Sequence, residues 1–248
     1  MISRLLAIAV LAVAANLAGQ EHAVRDRATP HYRLGLEHMR DEAFDQAEQA
    51  FEAAVGIDST FEMAFYMLGR ARMAQKKYAA AVTALARCRD LYASLAGKRF
   101  VDAQEAQYYR RNRILEIDDV IRQLQSMRIT PQTQHQLRQL NEQKRLIQES
   151  IHRGSDVSLG PTVPAYVLLS LGSAYFRQGL LVDAEREYKA TLAADPRSGE
   201  AHNNLAVVFL ETGRFDAAER SLEAAERNGY RPHPQLEEEI RKRRKAGR

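Results

Sequence analysis

The sequence predicts an all-α chain: a solenoid of four helical pairs in two sets of two, with an antiparallel helical hairpin inserted between the sets. Three observations carry this. Small and apolar residues recur at one fixed offset, and a long central interval breaks that recurrence while keeping a helical stripe. Composition agrees, since Trp is absent and Ala abundant, which suits close helix packing. A hydrophobic share of 45% also excludes a disordered chain.

At the N-terminus, MISRLLAIAVLAVAANLAGQ places Arg4 before an apolar run from Leu5 to Ala15. The run falls short of the roughly 20 apolar residues a membrane span requires, and small residues follow it. Residues 1–19 are therefore expected to be a secretory signal peptide. Ala12-Val13-Ala14 offers an early cleavage point and Ala18 or Gly19 a later one. The expected location is periplasmic or secreted, in the envelope of a Gram-negative-type bacterium. The alternatives are an inner-membrane anchor formed by an uncleaved N-terminal segment, and a buried first helix. The single cysteine, Cys88, permits no intramolecular disulfide. Its place in the repeat makes it a small buried residue rather than a reactive thiol.

Leu34-Gly35 recurs as Leu68-Gly69, and Leu171-Gly172 as Leu205-Ala206, the same step along the chain in both cases. That step also relates Phe44 to Tyr78 and Leu181 to Phe215, Ala47 to Ala81 and Ala184 to Ala218, and Phe51 to Leu85 and Tyr188 to Leu222. Ala54 pairs with Cys88, and Thr191 with Ala225. Each column has a packing reason. Gly or Ala on a first helix admits close approach of a second, the Ala47 column is expected to face that gap, and the large residues fill the core at helical spacing. Gly179 and Gly213 suit the left-handed conformation that ends a helix, and Asp195-Pro196 stops the third unit.

These columns resemble the tetratricopeptide repeat, a helix–turn–helix unit, residue by residue. The resemblance covers four units, 28–61, 62–95, 165–198 and 199–232, grouped as repeat pairs 28–95 and 165–232. His31, Phe65, Leu168 and His202 stand where the family usually carries Trp, and unit 62–95 lacks a turn glycine. The resemblance implies a non-catalytic interaction module whose first helices line a concave groove.

Residues 96–164 do not continue the pattern. Ile114, Ile117, Ile121 and Leu124 form a 3-4-3 stripe, and Thr130-Pro131 suits an N-cap and first helical position. Leu137, Leu140, Ile147 and Ile151 follow on a second helix. Arg110 and Lys144 fall in register with the stripe, which makes a poor isolated coiled coil. The hairpin is expected to pack partly on the repeats or on a partner, as a spacer or as an interaction arm. Gly154–Pro164 returns the chain to the third unit.

No metal, cofactor or catalytic motif emerges: no H-E-x-x-H, paired-Cys, G-x-S-x-G or phosphate-loop pattern is present. The chain is therefore not expected to be an enzyme. Projecting the inner face of the first helices gives Tyr32, Leu36 and Arg40, then Tyr66, Arg70 and Met73. Tyr166, Leu169, Ser173 and Arg177 follow, then Asn203, Val207 and Glu211. Recurring Tyr and Arg fit a binding surface for an extended or helical peptide of some acidic character, with an ordinary solvated face as the bland alternative. The strongest candidates are Tyr32, Arg40, Tyr66, Arg70, Tyr166, Arg177 and Asn203. A clamp for a chaperone's C-terminal carboxylates is not expected, because Tyr32 and Leu36 stand where its Lys and Asn would be.

The formal charge of +4 is unevenly placed: Arg241–Arg248 carries +6 and the segment Met1–Gln20 carries +1, leaving −3 on the body between them. The body is thus no nucleic-acid surface. Residues 233–248 are expected to form a capping helix, through Leu236 and Ile240, and a solvated basic tail. Weak attraction of that tail to anionic lipid or nucleic acid is the alternative use. Oligomerisation through the hairpin is the structural alternative to a peptide-binding adaptor.

Overall fold

The computed structural model describes residues 23–95, 103–126, 131–153 and 163–246. The expected signal segment, the Thr130 cap and most of the Gly154–Pro164 linker lie outside the described residues. Among the described residues there are eleven helices and no strand: α1 (23–40), α2 (Phe44–Ile57), α3 (Glu62–Ala74), α4 (Tyr78–Leu95), α5 (Ala103–Ser126), α6 (Pro131–Arg153), α7 (Ala165–Arg177), α8 (Leu181–Ala194), α9 (Gly199–Glu211), α10 (Phe215–Arg227) and α11 (Pro234–Ala246).

The small column has a direct steric cause. A Cβ added to Gly35 would lie 2.5 Å from Phe51, one on Gly69 2.5 Å from Leu85, and one on Gly172 2.7 Å from Tyr188. In the first three units the first and second helices therefore touch where glycine faces the large residue two turns into the second helix; Ala206 stands at that place in the fourth. The residue opposite the glycine is thus the Phe51 column, not the expected Ala47 column. Ala47, Ala81, Ala184 and Ala218 are fully buried beside it. The Ala54 column is buried as well, including Cys88, whose thiol burial pushes up and keeps protonated. Leu34 is the exposed member of its column, 44% against 3% for Leu68, because no described helix precedes α1 to cover it.

All four intra-unit turns use one hydrogen-bond pattern. Ala43, Lys77, Leu180 and Arg214 donate backbone N–H to the carbonyls of His38, Arg72, Tyr175 and Phe209 at 2.8, 2.9, 2.9 and 2.8 Å. This six-residue closure requires a left-handed residue just before the donor. Gly179 and Gly213 supply it in the later units, with φ of 82° and 74°. Glu42 and Lys76 are driven into it in the first two, with φ of 56° and 61°.

Neighbouring units are clamped by a recurring ion pair. Lys77 Nζ lies 2.6 Å from Glu48 Oε2, and Arg214 Nη2 lies 2.5 Å from Glu185 Oε2, at equivalent positions of the two repeat pairs. The stack also runs on across the insertion. Helix α7 packs on α4 and α3, as α9 packs on α8 and α7. Arg89 on α4 donates to the buried Glu187 on α8 at 2.9 Å, 98 residues away in sequence. The four units thus form one continuous solenoid, and the inserted segment is looped out of it.

That segment folds as a helical pair, α5 against α6, with Lys144 Nζ 2.6 Å from Asp118 Oδ1 between them. At the other end α11 packs on α10 and buries Ile240. Helix α11 runs on into the basic run, where Arg244 pairs with Asp216 at 3.0 Å and with Glu219, and Arg243 with Glu239 at 2.6 Å, while Arg241, Lys242, Arg243 and Lys245 stay exposed.

Candidate functional site

The hairpin lies on the side of the solenoid lined by the first helices, and α5 reaches three of them. On α1, Arg25 Nη1 donates to Glu116 of α5 at 2.8 Å. On α3, Glu62 accepts the Tyr109 hydroxyl of α5. On α7, the Tyr166 hydroxyl accepts Arg113 Nη2 of α5 at 3.1 Å. Between these polar contacts Ile117, Val120 and Leu124 of α5 join the apolar cluster of Tyr32, Phe61, Met63 and Tyr66.

The charges here are concentrated and dry. Arg25 binds three carboxylates, Asp58, Glu116 and Glu62, and its cation stacks 4.2 Å from the centre of the Phe61 ring. Burial alone would weaken its charge, but Glu116, Glu62 and Asp58 more than offset that and raise its pKa. Arg113 is buried too; it lies 3.2 Å from Glu116 and 4.8 Å over the Tyr92 ring. Burial pushes the Glu116 carboxyl above the usual range, against the opposing pull of Arg25 and Arg113. Burial and the neighbouring Glu62 raise Tyr109, which keeps it a donor. The aromatic and hydroxyl groups around Arg113 thus form a guanidinium seat, built from Tyr92 and Tyr166 of the solenoid.

The candidate residues from the inner face fall into two sets. Tyr32, Tyr66 and Tyr166 are 1%, 4% and 5% exposed, so the expected open tyrosine face is a closed one. The Tyr66 and Tyr166 rings meet edge to face at 5.0 Å, and Arg70 sits 5.9 Å over Tyr66 and is half-buried. The other set is accessible. Arg40 and Arg177 are exposed, and Asn203 is half-buried with its Oδ1 shielded from water and without a hydrogen-bond partner. Ser173 and Val207 beside it are half-buried. In the closed part the solenoid presents the carboxylates Asp58 and Glu62 and the cation of Arg25, and α5 brings Arg113 and Glu116 to them. Arg25, Tyr92, Arg113 and Glu116 were missed as site residues. Arg113 and Glu116 lie one residue before Ile114 and Ile117, along the edge of the apolar stripe, and that placement was the available signal.

Helix α6 anchors the hairpin to the later units. His135 Nε2 lies 2.5 Å from Asp195 Oδ2, which also accepts Gln139 Nε2 at 2.6 Å. Asp195 occupies the same repeat position as Asp58. In both, one oxygen caps the following turn, through Arg197 N at 3.1 Å and Thr60 N at 2.9 Å, and the other takes a side chain from outside the repeat. A cleft of about 240 Å³ opens beside this contact, with Glu200 and Tyr230 among its walls. Burial raises the Glu200 carboxyl. Among the described residues no group of His, Cys, Asp and Glu could hold a metal ion, and no helix is long and apolar enough to cross a membrane.

The family model described as Tetratricopeptide repeat matches residues 32–96 and 169–232, just over half of the sequence. The chain belongs to the tetratricopeptide repeat family. No curated protein matches it. Among solved structures it is similar to TTC0263, a thermophilic TPR protein of Thermus thermophilus, at 20% identity over 87% of this chain and 98% of that one, with a TM-score of 0.33. It is also similar to the MamA protein, at 17% identity over 81% and 91% with a TM-score of 0.28. A third is YrrB, described as a TPR protein with an unusual peptide-binding site, at 15% identity over 87% and 92% with a TM-score of 0.30.

Proposed function

We propose that this chain is a non-catalytic protein–protein interaction scaffold, exported from the cytoplasm, that receives a peptide or protein segment on the concave face of its repeats. One observation carries the reading: that face already holds a helix, α5, through aromatic, hydroxyl and charged side chains of three first helices. Helix-in-groove recognition uses this combination of apolar anchors and directional polar contacts. Export rests on the N-terminal segment, Arg4 followed by the apolar run to Ala15. The accessible positions Arg177 and Asn203 are where a partner reaches the face with the hairpin in place. A photo-crosslinking residue at either position should capture a protein from envelope extract, while one at the outward-facing Lys189 should not. Equal capture at all three positions, or none, would remove the concave face as the binding surface.

A second reading, an assembly subunit that oligomerises through the hairpin, is favoured by Leu115 and Leu146. These leave 52% and 53% of their surface exposed on α5 and α6. Light scattering on wild type and on Leu115→Ser/Leu146→Ser distinguishes the two: a dimer that the double substitution dissociates supports assembly, and an unchanged monomer leaves the adaptor.

A further inference from the structure

We propose that the hairpin is a displaceable ligand of its own solenoid, and that the face it covers takes an arginine-bearing amphipathic helix of a partner protein. This rests on the reading of the concave face as the recognition surface and names the partner's chemistry. Three features carry it. First, the solenoid does not depend on the hairpin for its continuity. Helix α7 stacks directly on α4 and α3, and Arg89 bonds Glu187 across the insertion point, so undocking opens no gap between units.

Second, the hairpin is held differently from the units. Within each unit the two helices meet through a small residue against a large side chain, with buried alanine beside it. The hairpin adds to its apolar contacts a set of polar ones: Glu116 with Arg25, Tyr109 with Glu62, Arg113 with Tyr166, Tyr108 with Asp26 at 2.8 Å, and His135 and Gln139 with Asp195. Water replaces each of these on undocking, so the loss of a polar contact is partly offset where the loss of an apolar one is not. The Tyr32 hydroxyl, buried with no partner under α5, would regain one.

Third, the uncovered face defines its visitor. It would present the Tyr92 ring, the Tyr166 hydroxyl and the Met63 thioether around an empty guanidinium seat. Asp58 and Glu62 would share the single cation of Arg25, leaving one negative charge in excess. A helix carrying Arg at that seat, a carboxylate three residues on to meet Arg25, and aliphatic residues at the following turns reproduces Arg113, Glu116, Ile117 and Val120.

The probe is a fluorescein-labelled peptide of residues 103–126, titrated into the full-length chain as wild type and as Arg113→Ala. The variant should keep its helicity and bind the peptide at least tenfold tighter than wild type, because its own helix no longer fills the seat. A peptide itself carrying Arg113→Ala should lose that gain. Should Arg113→Ala lose helicity, Arg113→Met gives the same readout with the space largely filled. Absence of peptide binding by a folded variant, equal binding of both peptides, or loss of helicity in both variants would overturn the proposal. Crosslinking at Asn203 that succeeds while the peptide fails would retire the displaceable hairpin and leave the adaptor reading standing.

Discussion

The Arg113 guanidinium lies 3.1 Å from the Tyr166 hydroxyl, so the inserted helix α5 is fastened to the first turn of the third unit, 53 residues further along the chain. The same cation sits over Tyr92 at the end of the second unit. One side chain of the insertion thereby touches both repeat pairs at their junction. A hydrogen bond to a charged group contributes about 1.5–3 kcal/mol. Tyr166→Phe removes this one and keeps the ring against Tyr66. Hairpin docking should weaken by about 1.5 kcal/mol, the lower end of that range. The loss is read as faster amide exchange in α5 with α8–α10 unchanged.

Two carboxyls give opposite pH responses. Glu116 is raised by burial, so its native form holds its proton more tightly than the unfolded chain does. Its contribution is present below the unfolded glutamate pKa and is lost as pH rises through the native value. Glu185 is held down to about 2, chiefly by the hydrogen bond from Arg214. Its contribution is present above the unfolded pKa and is lost as pH falls toward 2. Urea midpoints followed against pH should therefore show Glu116→Gln flattening the mildly acidic side of the profile. Arg214→Ala should flatten the strongly acidic side. Identical profiles for the two variants would contradict both assignments.

Lys76 holds the left-handed position that glycine holds in units three and four. A side chain there costs about 1–2 kcal/mol, and the greater freedom of glycine in the unfolded chain offsets part of the relief. Lys76→Gly should stabilise the chain by about 0.5–1 kcal/mol in chemical denaturation. Gly213→Lys should destabilise it.

What was legible in the sequence was whatever repeats. Gly35, Phe51 and Ala54 recur because each unit makes the same contact with itself, and a contact made four times leaves a period. The left-handed Glu42 and Lys76 left no such mark, since their conformation is imposed by the closing hydrogen bonds rather than by residue type. The insertion is made once. The stripe Ile114, Ile117, Ile121, Leu124 revealed a helix with one apolar face, but what that face touches depends on pairs such as Arg25–Glu116, 91 residues apart, which no periodicity encodes. Tyr32, Tyr66 and Tyr166 could be assigned to an inner face from spacing, while the helix that covers them could not. Arg25 precedes the first repeat column altogether.

The central claim is that the hairpin and the solenoid are separable layers, one seated on the other. Native-state hydrogen exchange of the wild-type chain at increasing sub-denaturing urea tests this most directly. Amides of α5 and α6 should open together at a lower free energy than those of α3, α4, α7 and α8, with the latter still protected when the hairpin has exchanged. A single opening free energy shared by all six helices would contradict it.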